Sequence, residues 1–127
     1  MNLLLLSLGG ALGAASRYAL GIYLLQFQKK DAIPLPMVII NVIGSVGLAL
    51  FLSLYYTDYP LTIYQDGLYL AVAVGFFGAF TTYSTFSVEA LDLLERKLYR
   101  LFLQYISLSL FGSLFLFSVV FYVVAQK

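Results

Sequence analysis

The sequence predicts an all-α membrane protein with four spanning helices, the third of them broken. Three observations predict it. The 127 residues are 62% hydrophobic and 10% charged, with a mean hydropathy of +0.96, far from the balance of a water-soluble domain. Four apolar stretches, at about 3–27, 37–56, 67–94 and 98–125, reach the roughly 20 residues that a helix needs to cross the hydrocarbon core. The third stretch is interrupted by Gly75 and Gly78 and then by six hydroxyl side chains between Thr81 and Ser87. An unpaired backbone group in hydrocarbon costs several kcal/mol, so helix-weakening, oxygen-rich sequence at membrane depth lines a cavity or an ion path.

The first span carries Gly9, Gly13, Arg17 and Gly21 at intervals of four, one slowly spiralling stripe suited to close helix packing. Arg17 lies about 20 Å along this helix at ~1.5 Å per residue. An arginine at that depth must face a partner, water or an anion. Pairing with Glu89 or with carbonyls and an electrostatic role in drawing anions inward both remain open. No basic n-region precedes the apolar run, which outlasts a signal h-region, so the span is expected to be retained.

Pro34 and Pro36 mark the start of the second span, since proline starts or stops a helix more readily than it sits inside one. Asn41 follows early in that span, one turn before Ser45, with two donors and an acceptor to offer either to a neighbouring helix or to an anion path. The connection at 57–60 precedes the third span, where Phe80, Tyr83 and Phe86 are spaced by three among Thr81, Thr82, Ser84, Thr85 and Ser87. Rings at helical spacing usually pack, yet a ring edge is positive and suits a small anion. The fourth span adds a stripe of Tyr105, Ser109 and Ser113, beside Gly112. Serines bonding back to their own helix would give the same pattern.

Cysteine and histidine are absent, which excludes disulfides, thiolate chemistry, imidazole catalysis and zinc sites. A net charge of +1 gives no field for nucleic acid. The chain is not expected to be an enzyme. With alternating helices, Lys29, Lys30, Arg96, Lys97 and Arg100 fall on one side and Lys127 on the other. The positive-inside rule then places the first and third connections in the cytoplasm and the middle one, with Asp58 and Asp66, outside.

These residues resemble the Fluc (CrcB) family of fluoride channels, through the glycine-rich start with Arg17, through Asn41, and through the core from Gly78 to Ser87 followed by Val88-Glu89. The resemblance covers essentially the whole chain, as a single transmembrane domain over 1–127. It implies a dual-topology antiparallel dimer in the cell membrane, with two fluoride pores between the subunits. It implies a structural sodium ion, held at the dimer centre by the backbone carbonyls of Gly78 and Thr81 and not transported. It also implies pore roles for Tyr83 and Phe86 as paired aromatics, for Asn41, and for a hydroxyl track of Ser84, Thr85, Ser87, Tyr105, Ser109 and Ser113. Tyr83 departs from the family's phenylalanine, and the charge bias departs from chains that insert both ways. The bias leaves the partner open between a second copy of the chain and an oppositely oriented paralogue. Passive fluoride export leads; a small multidrug-type proton-coupled exporter and a non-conducting partner subunit are the alternatives. The exporter would need a membrane-buried carboxylate. The first two spans have none, and Glu89, Asp92 and Glu95 run toward a helix end.

Overall fold

The computed structural model describes residues 1–56 and 62–126. Among the described residues, four helical spans are long and apolar enough to cross a membrane: Asn2–Leu25, Leu35–Tyr55, Gly67–Glu95 and Tyr99–Ala125. The protein is therefore a multi-pass membrane protein. The first span is α1 (Asn2–Leu25) and the second α2 (Leu35–Tyr55), with Pro36 in its first turn. A 3-10 turn at Ile63–Gln65 leads into the third span. That span comprises α3 (Gly67–Tyr69), a π-helical segment (Leu70–Phe77), α4 (Gly78–Phe80) and α5 (Tyr83–Glu95). The last span is α6 (Tyr99–Ala125). The expected turn at 57–60, with Asp58, and Lys127 lie outside the described residues.

The broken third span was expected, but the break falls at Thr81 and Thr82, while Gly78 keeps helical dihedrals. Thr81 (φ −74°, ψ 146°) and Thr82 (φ −134°, ψ 124°) are both extended. Phe80 thus belongs to the helical segment before the break, where it stacks on Phe76 at 5.8 Å. It does not continue the face of Tyr83 and Phe86. The spacing of three is not one helical stripe, because two extended residues interrupt the helix within it.

The π-helical segment has no counterpart in the sequence reading, and its neighbour explains how it is accommodated. The third span packs mainly on α1, with the glycines of α1 at the crossing. A Cβ at Gly9 would overlap the carbonyl of Ala71, and one at Gly13 the carbonyl of Phe76. With hydrogens there instead, two backbones meet directly, and dispersion replaces the hydrophobic drive that lipid cannot supply. On the other flank α6 packs along α2 and against α5, and Val38, Ala90, Leu93 and Tyr105 form a small buried cluster.

The two ends of the bundle are tied differently. At one, Arg96 pairs with Asp31, joining the first and third connections. The Gln28 amide there accepts from the Leu35 N–H at 3.2 Å and donates to the Ile33 carbonyl at 3.1 Å. Lys29, Lys30, Lys97 and Arg100 share that end, as alternation requires. At the other end, Asn2 donates to the Gln65 carbonyl, and the Tyr56 hydroxyl donates to Asp66 at 2.8 Å. Asp66 also caps the third span by accepting the Leu68 N–H at 2.8 Å.

Burial, together with the hydrogen bond to Asp66, pushes the Tyr56 phenol up to about 12. The Tyr56 hydroxyl, aided by the Leu68 N–H, holds the Asp66 carboxyl below its ordinary value. The Asp66 contribution is full above the ordinary carboxylate range and is lost as pH falls through the depressed value. The Tyr56 contribution is full below ~10 and lost as pH rises toward the raised value. A melting-temperature profile in detergent should therefore be level through neutral pH and fall at both extremes. In Tyr56→Phe both falls should shrink, the alkaline one because the phenol is gone and the acid one because Asp66 loses the hydroxyl that does most to lower it.

Candidate functional site

Breaking a helix inside a membrane releases backbone groups that must find partners. Here one side chain from another span takes up the first of them. The Thr82 N–H, which an unbroken helix would direct to the Gly78 carbonyl, donates to Asn41 Oδ1 at 3.2 Å. Asn41 Nδ2 in turn donates to Ser109 Oγ at 3.3 Å, so one amide ties the break to α6 as well. Thr82 then caps α5, its Oγ1 accepting the Thr85 N–H at 3.3 Å. That bond diverts the ladder partner of the Thr81 carbonyl.

The same residues line a groove of about 410 Å³ between α2, the break and α6. Asn41, Gly78, Thr81, Tyr83, Phe86, Ser109 and Ser113, all singled out from the sequence, share its wall. Apolar side chains that the sequence reading did not single out, among them Leu48, Phe77, Leu110 and Phe117, complete it. Three features make its polar side a donor surface. Asn41 has a second amide N–H with no partner among the described residues. Ser113 Oγ is buried with no hydrogen-bond partner among the described residues. The N-terminus of the 13-residue α5 opens beside the groove, presenting first-turn N–H groups and the positive end of the helix dipole. Tyr83 is 82% exposed, with its ring tilted against Phe86 at 6.3 Å.

The remaining predicted residues fall into place unevenly. Tyr105 is fully buried and tilted against Phe86 at 5.1 Å, but its hydroxyl donates to Glu89 at 2.7 Å and is committed there. Glu89 is therefore the partner of Tyr105, and it forms no ion pair with Arg17. Arg17 has its Nε buried with no partner among the described residues. Thr85 lies behind the groove wall, its Oγ1 meeting Thr82 Oγ1 at 3.4 Å, whereas Ser84 is exposed and Ser87 half-buried. Ser45 bonds back to the Asn41 carbonyl at 2.9 Å and contributes no free hydroxyl hydrogen.

The donor set for a cation is equally specific in its chemistry. Among the described residues no cluster of three or more acidic, histidine or cysteine side chains could hold a metal ion. The carbonyls of Gly78 and Thr81, however, have both lost their ladder donors, to Asn41 Oδ1 and to Thr82 Oγ1. A Cβ built on Gly78 meets nothing within 4 Å, so its backbone is open to approach. Neutral carbonyl oxygens suit a hard monovalent cation, and two from one chain would need others to complete a shell.

Residues 4–121 match the model of the CrcB-like protein family, also described as camphor resistance (CrcB). The chain belongs to that family. It is 42% identical over 122 residues to the "Fluoride-specific ion channel FluC 1" of Halalkalibacterium halodurans, covering 96% of each chain. It is 39% identical over 116 residues to the "Fluoride-specific ion channel FluC" of Bordetella petrii, covering 90% of this chain and 84% of the relative. A third relative, "Fluoride-specific ion channel FluC 2" of Bacillus thuringiensis subsp. konkukian, is 37% identical over 115 residues, covering 90% of each. The resemblance drawn from Asn41, Gly78 to Ser87 and Glu89 is thus one of descent along nearly the whole CrcB chain.

Because the Thr82 N–H is buried, removing its acceptor should cost more than removing the acceptor's own neighbour. Asn41→Ala should destabilise the protein by about 1–3 kcal/mol, while Ser109→Ala, which leaves the Asn41–Thr82 bond, should cost about 0.5–1.5 kcal/mol. Chemical denaturation in detergent, with amide exchange at Thr82, checks the order; equal costs would contradict it.

Proposed function

We propose that the chain forms a passive, fluoride-selective channel that lets cytoplasmic fluoride leave the cell across the cell membrane. The observation that carries this reading is the groove wall, where the Asn41 amide, Ser113, the start of α5 and the rings of Tyr83 and Phe86 converge on one strip. Each group offers a small anion a modest interaction, and none is a fixed cation that would trap it. Several weak positions in series are what fast conduction requires. The names of the curated relatives agree with this reading. Passive exit also suffices: hydrogen fluoride enters neutral at acidic external pH and ionises inside, so the anion has a gradient to leave by.

In this mechanism Asn41 and the hydroxyls of Ser109 and Ser113 replace water at the ion. Ser84, Thr85 and Ser87 extend the hydroxyl track beyond the groove lining, and Tyr105 joins it through the hydroxyl it shares with Glu89. Tyr83 and Phe86 meet the ion with their edges. Arg17 favours anions through the field of a guanidinium whose Nε has no partner among the described residues. Gly78 and Thr81 would hold a structural sodium ion through their carbonyls, which supplies positive charge and cements the assembly; it is not cargo. The groove lies open on the subunit, which suits closure by a second, antiparallel subunit, either a copy of this chain or a paralogue. The one-sided cations favour the paralogue, since such a chain inserts mainly one way.

A proton-coupled exporter fits less well. Glu89, the half-buried carboxylate of the third span, does not line the groove and is held by Tyr105. The deciding experiment is efflux from liposomes loaded with potassium fluoride, followed with a fluoride electrode after valinomycin. Fast fluoride efflux without chloride efflux is expected, and Phe86→Ile should abolish it while leaving assembly intact. Silence unless a paralogue is added would identify a non-conducting partner subunit, and drug-driven proton flux would identify an exporter.

Orientation and cation are tested together. Cysteines placed singly near each terminus should label from one side of the membrane only, and exchanging sodium for N-methylglucamine during purification should lower the dimer fraction. Equal labelling from both sides would remove the argument for a paralogue, and an unchanged dimer fraction would remove the structural cation.

A further inference from the structure

A second cavity, of about 770 Å³, lies at the end of the bundle that carries the first and third connections. Its charged lining comes from Lys29, Lys30 and Asp31 on one side and from Glu89, Asp92 and Arg96 on the other. Three cations thus face three carboxylates, and the cavity as a whole is neutral. The pairing within it is uneven. Arg96 binds Asp31 and reaches Asp92 at 3.6 Å, while the Lys29 and Lys30 ammonium groups have no ion-pair partner among the described residues.

Glu89 connects this cavity to the groove. It lines the cavity, accepts the Tyr105 hydroxyl at 2.7 Å, and through Tyr105 adjoins Phe86, which lines the groove. The cavity and the groove are therefore joined by three touching side chains, Glu89, Tyr105 and Phe86. A small anion arriving there meets a carboxylate first, an arrangement that repels it unless cations stand nearby.

We infer that this cavity is the mouth of the ion path at the loop end, and that Lys29 and Lys30 are positioning residues that keep it neutral so that fluoride can approach past Glu89. The inference rests on the fluoride-channel reading. Arg96 contributes by a different route: by occupying Asp31 and Asp92 it leaves both lysines unengaged and ties the connection that carries them to the end of α5. Replacing both lysines would leave one cation against three carboxylates, a net charge of −2. Across a mouth of this size the effect on an arriving anion is appreciable in dilute salt and largely screened in concentrated salt.

The test is fluoride efflux from liposomes at sub-saturating fluoride, measured in dilute buffer and again with inert salt added to about 0.3 M, where the Debye length falls below the width of the mouth. The double variant Lys29→Gln/Lys30→Gln should conduct about 5-fold more slowly than the parent in dilute buffer and approach it in salt. Lys29→Arg/Lys30→Arg, which keeps both charges, should match the parent in both media. Arg100→Gln, a loss of charge at the same end but outside the cavity lining, should do so too. An unchanged rate for the Gln double variant in dilute buffer would overturn the inference while leaving the channel reading intact. So would a deficit that salt does not relieve, which would mark a structural role. A parent chain that conducts no fluoride would overturn the channel reading and this inference with it.

Discussion

One hydrogen bond, from the Thr82 N–H to Asn41 Oδ1, is the constraint on which the arrangement of the site depends. A helix interrupted in hydrocarbon is tolerated only if the released backbone is satisfied within the protein. Asn41 does this with its oxygen and spends one of its two donors on Ser109, so α2, α5 and α6 are held in fixed relation by a single amide. Everything facing the groove inherits that relation: where α5 begins, where Phe86 points, and which carbonyls of the break are left open. A leucine at position 41 would fill the same space and satisfy none of it.

Around this point the protein is assembled in the manner membranes impose. Contact between spans comes from small residues that let backbones touch, as at Gly9 and Gly13, and from a few polar pairs buried between helices. Tyr105 with Glu89 is one such pair, placed where α5 and α6 meet. Bulky apolar side chains such as Leu12, Phe111 and Phe115 point outward, since lipid rather than water receives them. The donor surface of the groove thereby stands among mainly apolar exposed side chains.

Much of this was legible in the sequence, and the exceptions share a physical cause. The four spans follow from hydropathy and length, and the break from hydroxyl-rich sequence at membrane depth, because both properties are local. Asn41, Tyr83, Phe86, Ser109 and Ser113 could be named because polar or paired aromatic residues stand out in apolar helices. The partner of Glu89 could not be read: Arg17 has the opposite charge, but Tyr105 is adjacent in space, and adjacency between α5 and α6 is a tertiary fact. The extended dihedrals fall at Thr81 and Thr82 rather than at a glycine because Asn41 and the Thr82 hydroxyl supply the partners there, a property of the fold around the segment. The face shared by Phe80, Tyr83 and Phe86 failed for the same reason. The cavity holding Lys29, Lys30 and Arg96 arises from two connections distant in sequence.

The π-helical segment at Leu70–Phe77 sets the rotational phase of everything that follows it in the third span. An α-helix turns ~100° per residue, and each extra residue accommodated by π turns shifts the faces beyond it by about that angle. The phase of the break relative to α2 is therefore stored in the number of residues packed against Gly9 and Gly13, and not only in which residues they are. Shortening this stretch by one residue would preserve every side chain of the site and yet turn Thr82 away from Asn41. Along this stretch, chain length is itself a specificity element, and insertions or deletions there are more damaging than most substitutions.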